Sequence, residues 1–170
     1  DEMQNSFDFL GIGGRKFINY LFDDKNKIGK NIALRHSINV RFLLLDPTCS
    51  AIDVWTGEAT NKAKEIRDSI NLSLDLLRHQ ISIGRKNVEV RLYNDAPPLR
   101  LQIIDRKKAY ICEYSPYDDG YQAPQLIFNC DGDQPFIRSL NELYELLWSN
   151  AKSFDFEHSN QKQTENSSQI

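Results

Sequence analysis

The chain has 170 residues, a hydrophobic share of 40%, a charged share of 26% and a formal net charge of -3. That length suits one domain with a buried core, and the mixed charge argues against a bulk nucleic-acid binder while leaving room for a local basic patch. No apolar run approaches the roughly 20 residues a bilayer needs, and the three cysteines, Cys49, Cys112 and Cys130, form no Cys-x-x-Cys pair, which argues against a disulfide scaffold or zinc site and for a reducing compartment, expected to be the cytoplasm.

Taken in order, Ser6 to Ile12 reads as a short buried strand. Gly13, Gly14 and Arg15 follow, then Phe17, Ile18, Leu21 and Phe22 at helical spacing. Glycines between a strand and a helix let the backbone approach a ligand, and a helix start favours anions. The run Gly11-Ile12-Gly13-Gly14 falls short of a dinucleotide fingerprint, so ligand contact and a plain tight turn both remain open. Asp23 to Ser37 is polar and broken by Gly29, with Ile28, Ile32 and Leu34 able to dock a short second helix.

Asn39 to Leu45 is the strongest strand, nearly continuous in apolar residues as a strand covered on both faces should be. Asp46-Pro47 ends it. An Asp at the carboxyl end of a central parallel strand often borders a ligand crevice, although a turn-forming Asp before Pro is the simpler reading. Cys49 to Ala59 is expected to be a loop carrying Trp55, Gly57 and Glu58. The longest helix follows over Thr60 to Ile83, with Ala63, Ile66, Ile70, Leu74, Leu77 and Ile81 as its apolar stripe and Gly84 as its stop. His79, near its end, reads as structural.

Asn87 to Tyr93 alternates as a strand. After the break at Asn94 to Pro98, two strands joined by a charged turn at Asp105-Arg106-Lys107-Lys108 extend to Tyr114. Ser115 to Pro124 reads as a loop, and Gln125 to Asn129 as another strand. Asp133 and Pro135 mark a helix start, with Phe136, Leu140, Leu143, Leu147 and Ala151 on one face and Trp148 beside them. One domain is expected over residues 1–156, and the polar residues 157–170 should form a disordered tail. The chain starts at Asp1 almost inside its first strand, which suggests a piece of a longer polypeptide. The expected fold is α/β: a mixed, largely parallel sheet flanked by helices, with the first three strands parallel because helices separate them.

The hairpin carries a resemblance. Phospholipase D-like proteins have a strand reading His-x-Lys-x-x-x-x-Asp, then a turn and a returning strand that ends near Gly-Ser. With Asp105 as that Asp, the Lys position is Arg100, the His position is Pro98 and the Gly-Ser falls on Cys112-Glu113. The strand Val40 to Asp46-Pro47 and the closing helix through Leu147-Trp148 also resemble one half of that fold, in particular a bacterial branch in which the domain sits behind a regulatory or effector module. In that family the His attacks phosphorus, the Lys binds phosphate oxygens and the Asp supports the His. Proline offers no lone pair for such an attack, so the resemblance implies a degenerate half-domain without the reaction.

No other chemistry is complete. None of His36, His79 and His158 lies on the hairpin or has a Lys two residues later. Asp131-Gly132-Asp133 lacks the distal Glu of a calcium loop. No catalytic residue, metal site or cofactor is therefore assigned. Binding is what the resemblance leaves. Arg100 keeps a cation with a fork suited to phosphate, unless it merely pairs with Asp105 or Glu113. Gly13, Gly14, Arg15, Asp46, Asp105 and Glu113 are expected around the same ligand, with Tyr93, Tyr110 and Tyr114 as stacking faces. The expected function is an inactive sensor or regulatory domain that holds a phosphate-containing molecule, with a homodimer as partner. Two alternatives stand beside it: a phosphodiesterase or nuclease with a shared or unconventional site, and a structural dimerisation domain.

Overall fold

The computed structural model describes residues 3–23, 25, 38–57, 60–96, 99–114, 124–129 and 135–156. Pro98, Cys130, His36, His158, the acidic run at 131–133, the segment expected to hold a second helix, the Ser115–Pro124 loop apart from Pro124 itself, and the tail lie outside them. The elements are β1 (Ser6–Gly11), α1 (Arg15–Phe22), β2 (Asn39–Leu45), α2 (Ala51–Thr56), α3 (Thr60–Ser82), β3 (Val88–Tyr93), β4 (Arg100–Ile104), β5 (Lys108–Cys112), β6 (Gln125–Asn129), α4 (Pro135–Asn150) and β7 (Lys152–Ser153).

The strands form one sheet in the order β6-β5-β4-β1-β2-β3-β7. β1, β2 and β3 pair in parallel, as their separation by helices demands. The other four pairings are antiparallel. The sheet is therefore mixed and mostly antiparallel, which corrects the expectation of a largely parallel one. The cause is the hairpin: β4 returns alongside β1, with Phe7 opposite Ile104 and Leu10 opposite Leu101, and β5 and β6 extend that side by further reversals.

Alternation assigns the two faces. Phe7, Phe9 and Phe42 share one face, where Phe17 and Phe22 of α1 stack against them at 5.3 to 6.3 Å between ring centroids. Helix α3 packs on α1 there through the stripe read from sequence: Ala63, Ile70, Leu74 and Leu77 are buried, and Ile66 and Ile81 are partly so. The opposite face carries Asp8, Arg41 and Arg91, and α4 covers it. The core-facing residues of α4 are Ile137, Leu140, Tyr144 and Trp148. The expected Phe136-Leu140-Leu143-Leu147 face is rotated from this, and Phe136 stays 48% exposed. The reason is on the sheet. The Arg41 guanidinium stacks on Tyr144 and Trp148 at 4.9 and 5.1 Å, and that of Arg91 on Trp148 at 4.8 Å, so cation–π contact selects the aromatic stripe over the aliphatic one.

Two elements exceed the sequence reading. The expected Cys49–Ala59 loop contains α2, a turn and a half with Ile52 buried, which Gly57 ends at φ 62°. Strand β7 adds two residues to the far edge, Arg91 opposite Ser153 and Leu92 opposite Lys152. Among the described residues, no helix is long and apolar enough to cross a membrane.

Candidate functional site

The three parallel strands end together at Gly11, Leu45 and Tyr93, and the antiparallel hairpin brings the start of β4 and the end of β5 to the same end of the sheet. Crevices at the carboxyl ends of parallel strands are where open α/β sheets commonly hold ligands. Arg100, Asp46, Tyr93 and the glycine turn all lie at that end, with Arg100 on the Phe7 face of the sheet and Tyr93, three strands away, on the Asp8 face.

The glycines have local causes. A Cβ on Gly11 would meet the Tyr114 hydroxyl at 2.6 Å and a Phe9 ring carbon at 2.7 Å. The Ile12 N–H donates to Tyr114 Oη at 2.8 Å. The Gly14 N–H donates to Ser73 Oγ at 3.0 Å, and that buried hydroxyl donates in turn to the Ser69 carbonyl at 2.8 Å. A Cβ on Gly13 would lie 3.3 Å from Ser73 Oγ. The N–H groups of Ile12 and Gly14 are thus committed to Tyr114 and to α3. The turn is a close-packing joint, and Arg15 stands exposed at the start of α1.

Asp46 also acts locally: its Oδ1 accepts from the Thr48 N–H at 2.8 Å and the Thr48 hydroxyl at 2.6 Å, the turn that Asp before Pro foretells. Arg100 is half-buried in register with Cys112. Its positive charge acts on Tyr114, opposing the upward shift that burial gives that phenol. The Trp55 ring meets Tyr114 edge-on at 6.3 Å. Tyr93 is buried, its hydroxyl has no hydrogen-bond partner among the described residues, and burial pushes its phenol well up, with Tyr114 and Cys49 acting in the same direction. A buried polar group in that state is rare and calls for a cause. Glu113 is exposed just beyond β5, and Tyr110 is half-buried under the Lys108 ammonium at 5.3 Å.

Asp105 is a correction. It was expected beside Arg100, yet β4 separates the two by five residues, about 17 Å at roughly 3.4 Å per residue. Its carboxylate accepts the N–H groups of Gln4, Asn5 and Ser6 at 2.9, 2.7 and 2.9 Å. It fastens the chain entering β1 and cannot pair with Arg100. Both Asp105 and Arg106 have positive φ, 52° and 58°, the requirement of the turns that fit a twisted hairpin.

A second constellation escaped the sequence reading. Asp8, 1% exposed, receives Nε and Nη2 of Arg41 at 2.6 and 2.9 Å. Arg41 also donates to both Glu145 oxygens at 3.2 and 2.8 Å, and Arg106 adds a bond to Glu145 at 2.7 Å. The hydrogen bond from Arg41 holds the Glu145 carboxyl below the usual range, and the same partners hold the guanidinium above its own despite burial. A cavity of about 430 Å³ opens beside this network, between Ser6, Asn39, Glu89, Asp105 and Arg106. Two basic and two acidic groups line it, Arg41 and Arg106 with Glu89 and Asp105. The signal was present in sequence: a lone Asp in Phe7-Asp8-Phe9 and a lone Arg in Val40-Arg41-Phe42 are opposite charges on central strands, where a charge must be paired.

Among the described residues, no three His, Cys, Asp or Glu side chains gather as a metal set. The one described histidine, His79, is exposed near the end of α3, at the opposite end of the sheet from Arg100.

A phospholipase D family member, Nuc from Salmonella typhimurium, shares this fold with a TM-score of 0.51 at 12% identity, over 91% of this chain and 84% of that one. Similarity at that identity concerns the fold alone. No protein-family model matches the chain, and neither does any curated protein.

Proposed function

We propose that this chain is a catalytically silent phospholipase D-like domain that serves as a sensor or regulatory module and holds a phosphate-containing ligand at the carboxyl ends of β1 to β3. The observation that carries the reading is the buried Tyr93 hydroxyl, which has no hydrogen-bond partner among the described residues, at the end of the sheet where Arg100 and Tyr114 also stand. Arg100 supplies the cation for a phosphate oxygen, and the Tyr93 hydroxyl gains the partner it lacks. The sequence places Pro98 where the resemblance requires a nucleophilic His, which supports binding over hydrolysis.

Thermal unfolding with inorganic phosphate and with a nucleoside triphosphate tests this. The melting temperature rises in the wild type and not in Arg100→Ala or Tyr93→Phe. Without ligand, Tyr93→Phe is at least as stable as wild type, because it removes an unsatisfied hydroxyl. No rise with either probe, or a rise that survives Arg100→Ala, overturns the reading. Hydrolysis of a generic phosphodiester that disappears in Arg100→Ala returns the site to an enzyme of the phosphodiesterase class.

A further inference from the structure

The two edges of the sheet are built differently. β7 is a two-residue strand carrying Lys152, the kind of short, charged edge that discourages further pairing. β6 is its opposite. It has five residues, Gln125-Leu126-Ile127-Phe128-Asn129, with no charge and no proline inside the strand, and among the described residues only β5 pairs with it. Leu126 is 61% and Ile127 55% exposed, on opposite faces of the strand. Phe128 lies on the α4 side, where its ring meets that of Phe136 at 4.6 Å, and Phe136 is itself 48% exposed.

We infer that β6 is a dimerisation edge and that its partner is β6 of a second copy of this chain. The strand is self-complementary about Ile127. In an antiparallel pairing centred there, Ile127 faces its own copy, Leu126 of one protomer faces Phe128 of its partner, and Gln125 faces Asn129. Every pair joins like with like, apolar with apolar and amide with amide, as an isologous contact requires. Alternation puts Leu126 and Phe128 of both protomers on one face, the face on which Phe136 of each already stacks. The dyad therefore closes an apolar cluster over one side of a continuous fourteen-stranded sheet, twice the seven of each chain. The match holds whichever residues of β6 point their N–H and C=O outward, because the two-fold passes through a residue pair in either case. Growth stops at two, since among the described residues the sheet's other edge is the blunt β7. The resemblance implies a homodimer paired around the site; the inferred pairing runs instead along β6, two strands from Arg100, with Gln125 in register with Cys112 and Arg100.

The test uses Ile127→Lys and Ile127→Glu in the full chain, with sedimentation velocity from about 1 µM to about 500 µM, the range of transient contacts. Ile127 is more exposed than buried, so both variants keep the wild-type circular dichroism spectrum. The wild type moves from the mass of one chain toward twice that mass as concentration rises. Each variant alone stays at one chain, because the substitution sets like charges face to face on the dyad. An equimolar mixture of the two returns to the doubled mass through a Lys–Glu pair. A wild type that remains monomeric to the highest concentration overturns the inference. So does a dimer indifferent to both substitutions, a mixture that fails to recover, or growth beyond two copies.

Discussion

Replacing Arg41 by Met keeps most of the side-chain length and removes the charge. Asp8 then remains 1% exposed with neither of its two guanidinium hydrogen bonds, 2.6 and 2.9 Å in the wild type. Breaking a buried pair by removing one partner costs about 3–5 kcal/mol, because the remaining charge is buried without compensation. A domain with about 5–15 kcal/mol of total stability loses a large part of it. Removing both charges is different. In Asp8→Leu/Arg41→Met no charge is stranded, and apolar replacements of a buried pair are often neutral or better. Glu145 loses one cation in the double variant and keeps Arg106. The two single substitutions should therefore be strongly non-additive, with the double variant recovering at least about 2 kcal/mol of the Arg41→Met loss. Urea unfolding followed by circular dichroism measures this, read at constant denaturant slope. A loss below about 1 kcal/mol for Arg41→Met would place the pair among weak surface contacts and refute the reasoning. A double variant as unstable as the summed singles would do the same.

Asp105→Ala removes the acceptor of three N–H groups and puts a Cβ-bearing residue without a local hydrogen bond at φ 52°. It should cost about 2–4 kcal/mol in chemical denaturation, and Asp105→Asn, which tolerates that φ and keeps an acceptor, visibly less; equal losses contradict the assignment. Gly11→Ala drives a methyl into the Tyr114 hydroxyl and the Phe9 ring and should cost about 1–3 kcal/mol. Combining it with Tyr114→Phe relieves one of the two clashes, so the combined loss should fall short of the sum in the same assay. Glu145 gives a pH dependence. Its folded pKa lies below its ordinary value of 4.5 because Arg41 holds it ionised. The stability it contributes is present above 4.5 and is lost as pH falls through the depressed value. Midpoints recorded from pH 6 downward should therefore decline less steeply in Glu145→Gln than in wild type, and parallel declines would show that the pair carries no linkage.

The sequence made the central strands legible because their pattern is local. Asn39 to Leu45 is apolar on both faces, and helices on either side of it leave parallel pairing as the simple solution. The α3 stripe is equally local, with repeats at three and four residues over 23 positions. Helix α2 was illegible because six residues hold too few turns for a period to show, and β7 because two residues hold none. The α4 face was misread for another reason. Its helix offers two overlapping stripes, and the choice rests with Arg41 and Arg91, about 100 and 50 positions earlier in the chain.

The candidate site shows the same limit more sharply. Arg100 and Asp105 sit in one motif by spacing, and spacing suggested one site. A strand turns spacing into distance, so the two fall at opposite ends of the sheet and answer to different neighbours. At the amino end of β1 the groups are neutralised by one another: Asp105 by three N–H groups, Asp8 by Arg41, Glu145 by Arg41 and Arg106. At the carboxyl end the Tyr93 hydroxyl is buried with no hydrogen-bond partner among the described residues. Folding free energy accounts for these contacts of the first arrangement, because each is a bond that forms only in the native chain. It does not account for the second, since Phe at position 93 would avoid the desolvation of that hydroxyl at no loss of packing. A Tyr kept where Phe would pack is what the proposed site explains and folding stability does not, and it stands at the carboxyl ends of the strands, away from Asp105.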